Sequence, residues 1–253
     1  MTLAADLLLL AIDPQRRQLR VSERLDYALM GADLVELALA RRVVMEGDRV
    51  LVLDARPTGD RLLDEALASI AAKDRPPRAR AWVQAVRKGL RSDYLGVLTE
   101  QRAIRRTPRP FLRFFTVTDL VVLEPGRQAG IKARIDAVAS GAAMDDPRGR
   151  ALAGLAHAAG LSTVLYPGTA NRALRKRLQQ ATRGERVGAD VLRATAAISD
   201  LAVDATTRAV TDSAMRAATD AAVHAAMSAA VDAAHSAGHS SHSGGGHGGG
   251  GHH

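Results

Sequence analysis

The sequence predicts a mainly α-helical protein: a multi-helix globular domain with two small β-hairpins, then a long Ala-rich helix and a disordered tail. Three observations predict it. Apolar residues recur at helical spacing through most of residues 1–202. Two β-rich stretches interrupt that spacing. From Val203 the chain becomes an alanine-rich repeat and then a Gly/Ser/His tract. The expected organisation is therefore a domain over 1–202, a repeat helix over 203–236 and a disordered tail over 237–253. A chain of 253 residues with 47% hydrophobic content can bury a sizeable core. It has no cysteine, which excludes disulfides and thiolate metal sites and suits a reducing compartment.

Leu3 to Ile12 reads as a first apolar helix, closed at Asp13-Pro14 because proline disfavours helix at the residue before it. Its apolar run, Leu7 to Ile12, is far shorter than the roughly 20 residues of a spanning helix. It also follows Asp6 rather than a basic segment, so it makes a poor signal peptide. Ser22 caps the next helix, with Leu25, Leu29, Ala32 and Leu39 as its buried stripe. Leu34, Val35, Leu37 and Ala38 occupy its other faces, so other helices should surround it. Val43 to Leu53 is a hairpin around Gly47-Asp48, and Pro57 to Leu67 is a turn that opens straight into a helix. A helix surrounds Trp82 over Ala79 to Leu90, and Ser92 caps another that carries Leu95 and Leu98.

From Ala103 the pattern changes. Ile104, a loop at Thr107-Pro108-Arg109-Pro110 and Phe111 to Thr118 suggest the second hairpin. Leu120 to Leu123 with Pro125-Gly126 read as an exposed apolar excursion. Helical spacing returns at Ile131, Ile135 and Val138, and again over Arg150 to Ala159, Ala170 to Ala181 and Val187 to Ala202.

Residues 203–234 are an eight-fold tetrapeptide repeat whose second positions run Asp204, Arg208, Asp212, Arg216, Asp220, His224, Ser228 and Asp232. Opposite charges four apart stabilise a helix by about 0.2–0.5 kcal/mol per pair. A four-residue period outruns the 3.6-residue turn, so the charged stripe winds by about 40° per unit and leaves no constant apolar face. Of the seven histidines from His224 onward, five lie in the Gly/Ser tract without preorganised geometry. No metal and no cofactor is expected.

Charge is uneven. The chain carries +8, residues 203–253 carry −2, and residues 1–202 therefore carry +10. So basic a body attracts polyanions, either nucleic acid or an anionic membrane surface.

Two stretches sharpen the choice: Gly31 to Arg42 (GADLVELALARR) and Pro57 to Leu67 (PTGDRLLDEAL). With the hairpin between them, they resemble the Golgi phosphoprotein 3 family, peripheral non-enzymatic proteins that bind acidic membrane lipids. The resemblance runs from about Leu3 to Ala202 and is specific over about the first seventy residues. It implies that Lys88 and Arg91 stand where the family holds a phosphoinositide headgroup. Basic groups three apart on one helix face can donate several charge-assisted hydrogen bonds to one phosphate. The family's other pocket positions, an aromatic and an Arg, correspond to Val21 and Met30, so a platform and a phosphate ligand are absent. Arg17, Arg20 and Arg24 lie near enough in sequence to substitute electrostatically.

The resemblance also implies a membrane or oligomer contact at Val117, Leu120, Val121, Val122 and Leu123, with homo-oligomers through the 117–131 hairpin. Contiguous exposed apolar residues mark such a surface; a buried strand is the alternative. Glu36, inside an apolar helix, should make a structural hydrogen bond or ion pair, and His157 reads as a core or partly exposed histidine. No Ser–His–Asp order, HExxH motif or Walker loop can be read.

The expected protein is thus a cytoplasmic, non-enzymatic adaptor on the inner face of the membrane, bacterial in its Ala- and Arg-rich composition. It would bind anionic lipid, of the phosphatidylinositol phosphate type by resemblance. The alternative is a winged-helix-like nucleic-acid-binding protein, with Ser92 to Gln101 as recognition helix and Arg102, Arg105, Arg106, Arg109 and Arg113 on the wing.

Overall fold

The computed structural model of the protein describes residues 1–20, 23–111, 115–142 and 145–183. In chain order the described elements are α1 (Leu3–Ala11), β1 (Ile12–Asp13), β2 (Gln18–Leu19), α2 (Glu23–Leu39), β3 (Val43–Glu46) and β4 (Arg49–Val52). Then come α3 (Arg61–Ala71), α4 (Ala79–Gln84), α5 (Leu90–Glu100), β5 (Ile104–Phe111) and β6 (Phe115–Val122). The last are α6 (Pro125–Ser140), α7 (Pro147–Ala158), α8 (Ser162–Leu165) and α9 (Arg172–Arg183). The six strands form three antiparallel ribbons, β1-β2, β3-β4 and β5-β6, that do not join into a larger sheet.

The core is built around α1. Its sequence, LAADLLLLA, is apolar on every side but one, and all nine residues are buried. A helix of that pattern is stable only inside a bundle, and α2, α5, α6 and α7 pack around it. Each leucine so buried contributes about 1.5–3 kcal/mol relative to exposure. The N–H groups of the first turn have no partner within the helix and, being buried, need one elsewhere. The Thr2 hydroxyl accepts from Ala5 N, and Glu36 of α2 accepts from Leu3 N at 2.9 Å. Glu36 also takes Arg148 from α7, so one carboxylate ties the start of α1 to two other helices. Asp6, the one acid on α1, is buried, and desolvation raises its pKa despite Arg127 at 3.3 Å.

Both α2 and α5 end where an arginine takes a left-handed conformation, Arg41 at φ 55 and Arg102 at φ 57. Glycine usually occupies that place, because a side chain there crowds the backbone. The following amides close the turns, with Arg42 N on Leu37 O at 2.8 Å and Ala103 N on Leu98 O at 2.9 Å. The PTGD turn is built by carboxylates. Asp60 caps α3 through Leu62 N and Leu63 N, and Asp64 accepts from both the amide and the hydroxyl of Thr58.

Several sequence expectations change. There are three ribbons rather than two: Asp13 accepts from Gln15 N and Arg16 N, and the chain reverses there into β1-β2. The helix at Trp82 is only Ala79–Gln84, and α5 begins after Gly89 at φ 83, so Ser92 sits in its first turn and does not cap it. Thr107 to Pro110 is strand, not loop, in register with Val117 to Asp119 and Thr116. Pro108 and Pro110 are tolerated because alternate residues of a two-stranded ribbon turn their N–H away from the partner strand. Pro125-Gly126 opens α6, with proline in its first turn, where its missing N–H costs nothing. The 117–131 segment is therefore half strand and half helix. The Ser22 cap, the Val187 to Ala202 helix, the 203–236 repeat helix, the 237–253 tail with its histidines, and Arg113 lie outside the described residues.

Candidate functional site

The two residues proposed for a headgroup do not share a helix face. Lys88 is exposed in the turn before Gly89, whereas Arg91 lies in the first turn of α5. Arg91 reaches α2 and makes a two-point pair with Asp26, through Nε to Oδ1 and through Nη2 to Oδ2 at 2.5 Å. Its side chain is 29% exposed and that of Asp26 19%, and the pairing raises the guanidinium pKa further. A guanidinium forked onto a carboxylate has used the geometry with which it would grip a phosphate. Arg20 is similarly engaged, at 2.8 Å from Asp13. Arg24 is half-buried, its aliphatic stem lying over Gly160 after α7. Val21 lies outside the described residues, and Met30 is buried.

The seam between α2 and α5 holds a second polar pair. Asp33 is 2% exposed, and its Oδ1 accepts from the Tyr94 hydroxyl. Burial pushes the Asp33 carboxyl up to about 8, so at neutral pH it is largely protonated; the same burial pushes Tyr94 far up. Beside it Arg87 bridges Glu65 at 2.5 Å and Asp93 at 3.1 Å, and Glu65 also holds Arg61. Of these, the Arg87–Glu65 pair ties the approach to α5 to α3, while Arg61–Glu65 lies within α3 and Arg87–Asp93 is local.

The apolar patch is smaller than expected. Leu120 is only 5% exposed and belongs to the core, with its amide donating to Arg17 O at 2.7 Å. Val122 packs against the core, and Val117 and Val121 are half-buried. Of the five, Leu123 alone is strongly exposed, at 43%. Strand pairing to β5 turns Leu120 inward, and that alternation is what the run of three apolar letters concealed.

Sequence reasoning placed a helix over Ala170 to Ala181, which is α9, and missed its charge. Its sequence, RALRKRLQQATR, has five basic residues and no acid. Leu178 is buried and Leu174 packs on the core, so the helix lies on α6 and α7 with its basic side outward. Arg175 is used structurally, donating to Tyr166 O and Gly168 O. Arg172, Lys176 and Arg177 are exposed and meet no carboxylate among the described residues. The signal was present in the composition of those twelve residues.

The helix-and-wing order of the nucleic-acid reading is present as α5 followed by β5-β6, and Arg105 and Arg106 are exposed. Yet α5 turns Leu90, Tyr94 and Leu98 into the core and exposes only Ser92, Thr99 and Glu100. That face offers no cation to a groove. His157 is half-buried, with Nδ1 3.0 Å from Ser162 Oγ. No cluster of three or more metal-ligating side chains occurs among the described residues, and no described helix is long and apolar enough to cross a membrane.

The sequence model of the Golgi phosphoprotein 3 (GPP34) family matches residues 3–234. The match runs past Ala202, where the resemblance was expected to end, and takes in the tetrapeptide repeat. No curated protein matches the chain. With nearly its whole length matched, the chain belongs to the Golgi phosphoprotein 3 family.

Proposed function

We propose that the protein is a non-enzymatic peripheral adaptor that docks on anionic membrane lipid. The observation that carries this reading is family membership in a chain whose first 202 residues hold an excess of ten positive charges. Cations near an anionic surface contribute about 1 kcal/mol each. Those best placed to do so are exposed cations that meet no carboxylate among the described residues; they include Lys88, the outward Arg172, Lys176 and Arg177, and Arg105 and Arg106 on the β5-β6 ribbon. Arg24 adds its charge from a half-buried position, while Arg20 and Arg91 contribute less because Asp13 and Asp26 already neutralise them. Met30 in place of a basic ligand argues for general anionic attraction over recognition of one phosphatidylinositol phosphate. Leu123 is the apolar contact that the hairpin offers to a membrane or to a second copy of the chain.

The test is co-sedimentation of the full chain with vesicles of phosphatidylcholine, alone or mixed with phosphatidylserine or a phosphatidylinositol phosphate. Binding should require an anionic lipid, weaken with salt and differ little between headgroups of equal charge. Equal binding to pure phosphatidylcholine, or tighter binding to duplex DNA than to any vesicle, would overturn the reading.

A further inference from the structure

A cleft of about 420 Å³ opens between α2, α3 and α4, within the roughly 300–1,000 Å³ of small-molecule sites. Met30, Ala66, Pro77, Ala81 and Trp82 make its apolar walls. Trp82 is fixed, because its Nε1 donates to Ser69 Oγ at 3.1 Å while that hydroxyl donates to Ala66 O at 2.7 Å. The acids of the wall are already engaged. Glu65 takes Arg87 at 2.5 Å and also Arg61. Asp33 accepts from the Tyr94 hydroxyl and is largely protonated, so it sets no fixed charge against an apolar guest.

The mouth differs from the walls. Lys73 lines the cleft, is exposed and meets no carboxylate among the described residues. The turn that carries Arg87 continues into Lys88, also exposed and without a carboxylate among them. Apolar walls beside unpaired cations suit an amphiphile with a hydrocarbon tail and an anionic head. A sugar or a nucleotide would turn polar groups onto Met30 and Trp82, where nothing satisfies them.

We propose that one acyl chain of the anionic lipid on which the protein docks leaves the bilayer and lies in this cleft. The chain runs along Trp82 and Met30, and the lipid phosphate stays at the mouth with Lys73 and Lys88. The inference rests on the membrane-docking reading and deepens it, because the cleft is then part of the docking site. The lipid is held by its chain as well as by charge. Moving a chain from one apolar medium to another leaves little hydrocarbon facing water, so the hydrophobic effect does not oppose the transfer.

Trp82 is the single tryptophan of the chain, so its fluorescence reports this cleft. The full chain is titrated, without vesicles, with dihexanoylphosphatidylglycerol below its micelle concentration. Dibutanoylphosphatidylglycerol, dihexanoylphosphatidylcholine and glycerol 3-phosphate are titrated beside it. The dihexanoyl anionic lipid should give a saturable change and bind about tenfold tighter than the dibutanoyl one, because two more methylenes enter the cleft. It should bind at least about fivefold tighter than its phosphatidylcholine counterpart, the factor that one cation beside the head contributes. Glycerol 3-phosphate should leave the emission unchanged. Ala81→Phe and Ala85→Phe, at exposed positions on the cleft wall, should each abolish the response. Both variants should keep the thermal melt and still sediment with anionic vesicles through their remaining surface charge. A response to glycerol 3-phosphate equal to that of the dihexanoyl lipid, or one that survives both substitutions, would overturn the proposal. A parent chain that sediments with anionic vesicles yet shows no Trp82 change removes the cleft and keeps the docking reading. A chain that ignores anionic vesicles removes both.

Discussion

The seam between α2 and α5 and the outer face of α9 are both rich in charge, and they use it in opposite ways. In the seam every described cation has a carboxylate from another element: Arg91 with Asp26, and Arg87 with Glu65 and Asp93. On α9 three cations face outward with no carboxylate near them among the described residues. Paired charge of the first kind positions helices and is already neutralised. Unpaired charge of the second kind adds a field at the surface and little to stability. The difference teaches that a basic residue becomes a docking residue only when the fold leaves it without an acid.

The largest expected effect lies in the seam, at Asp33. Its folded pKa, pushed up to about 8 by burial, stands above the unfolded value of 3.8. The folded state therefore holds a proton that the unfolded state has released between those values. The stability contributed by this group is fully present below the unfolded pKa and is lost as pH rises through the folded one. Stability should fall across that window by at most about 1.4 kcal/mol per pH unit from this group. Asp33→Asn keeps an acceptor for Tyr94 and removes the titration. Denaturant unfolding at pH 5 and pH 8 should show the variant gaining on the parent as pH rises. A constant difference between the two would mean that Asp33 is ionised in the fold.

On α9 the expected effect is on binding. Reversing all three outward cations, Arg172→Glu with Lys176→Glu and Arg177→Glu, removes about 3 kcal/mol of attraction to an anionic surface, more than about a hundredfold in affinity. The thermal melt should not change, since none of the three makes a contact that holds α9 in place. Vesicle binding that survives the triple variant would move the docking surface off this helix and erase the contrast with the seam.

Much of the fold was legible because α1 and α2 state their burial outright. A helix with leucine on every side can sit only in a core, and the PTGD turn names its own cap in Asp60. The ends were harder. Arg41 and Arg102 occupy positions where glycine would have announced a stop, and Gly89 opens a helix where Ser92 looked like the cap. The ribbon β5-β6 was misplaced because Pro108 and Pro110 read as a loop, although in a two-strand ribbon they cost no ladder bond. The candidate site was least legible of all. Asp26 and Arg91 are 65 positions apart, and no local pattern says that they meet. Spacing places a charge on a face, and only the packing of distant elements decides whether that face is already neutralised.

Arg91 offers the smallest effect and the finest test of the contrast. Breaking a fully buried ion pair by removing one partner costs about 3–5 kcal/mol, because the remaining charge is left desolvated. Here both side chains keep some exposure, so water can reach Asp26 once the guanidinium is gone, and Arg91→Ala should cost about 2 kcal/mol. Asp26→Asn should cost a similar amount, and the double variant should cost less than the sum, since the two losses are one interaction. Vesicle binding of folded Arg91→Ala should equal that of the parent. Lys88→Glu, in the neighbouring turn, should do the reverse and weaken binding at constant stability. If instead Arg91→Ala melts like the parent and no longer sediments with anionic vesicles, then Arg91 leaves Asp26 to hold a headgroup, and the seam belongs to the docking surface after all.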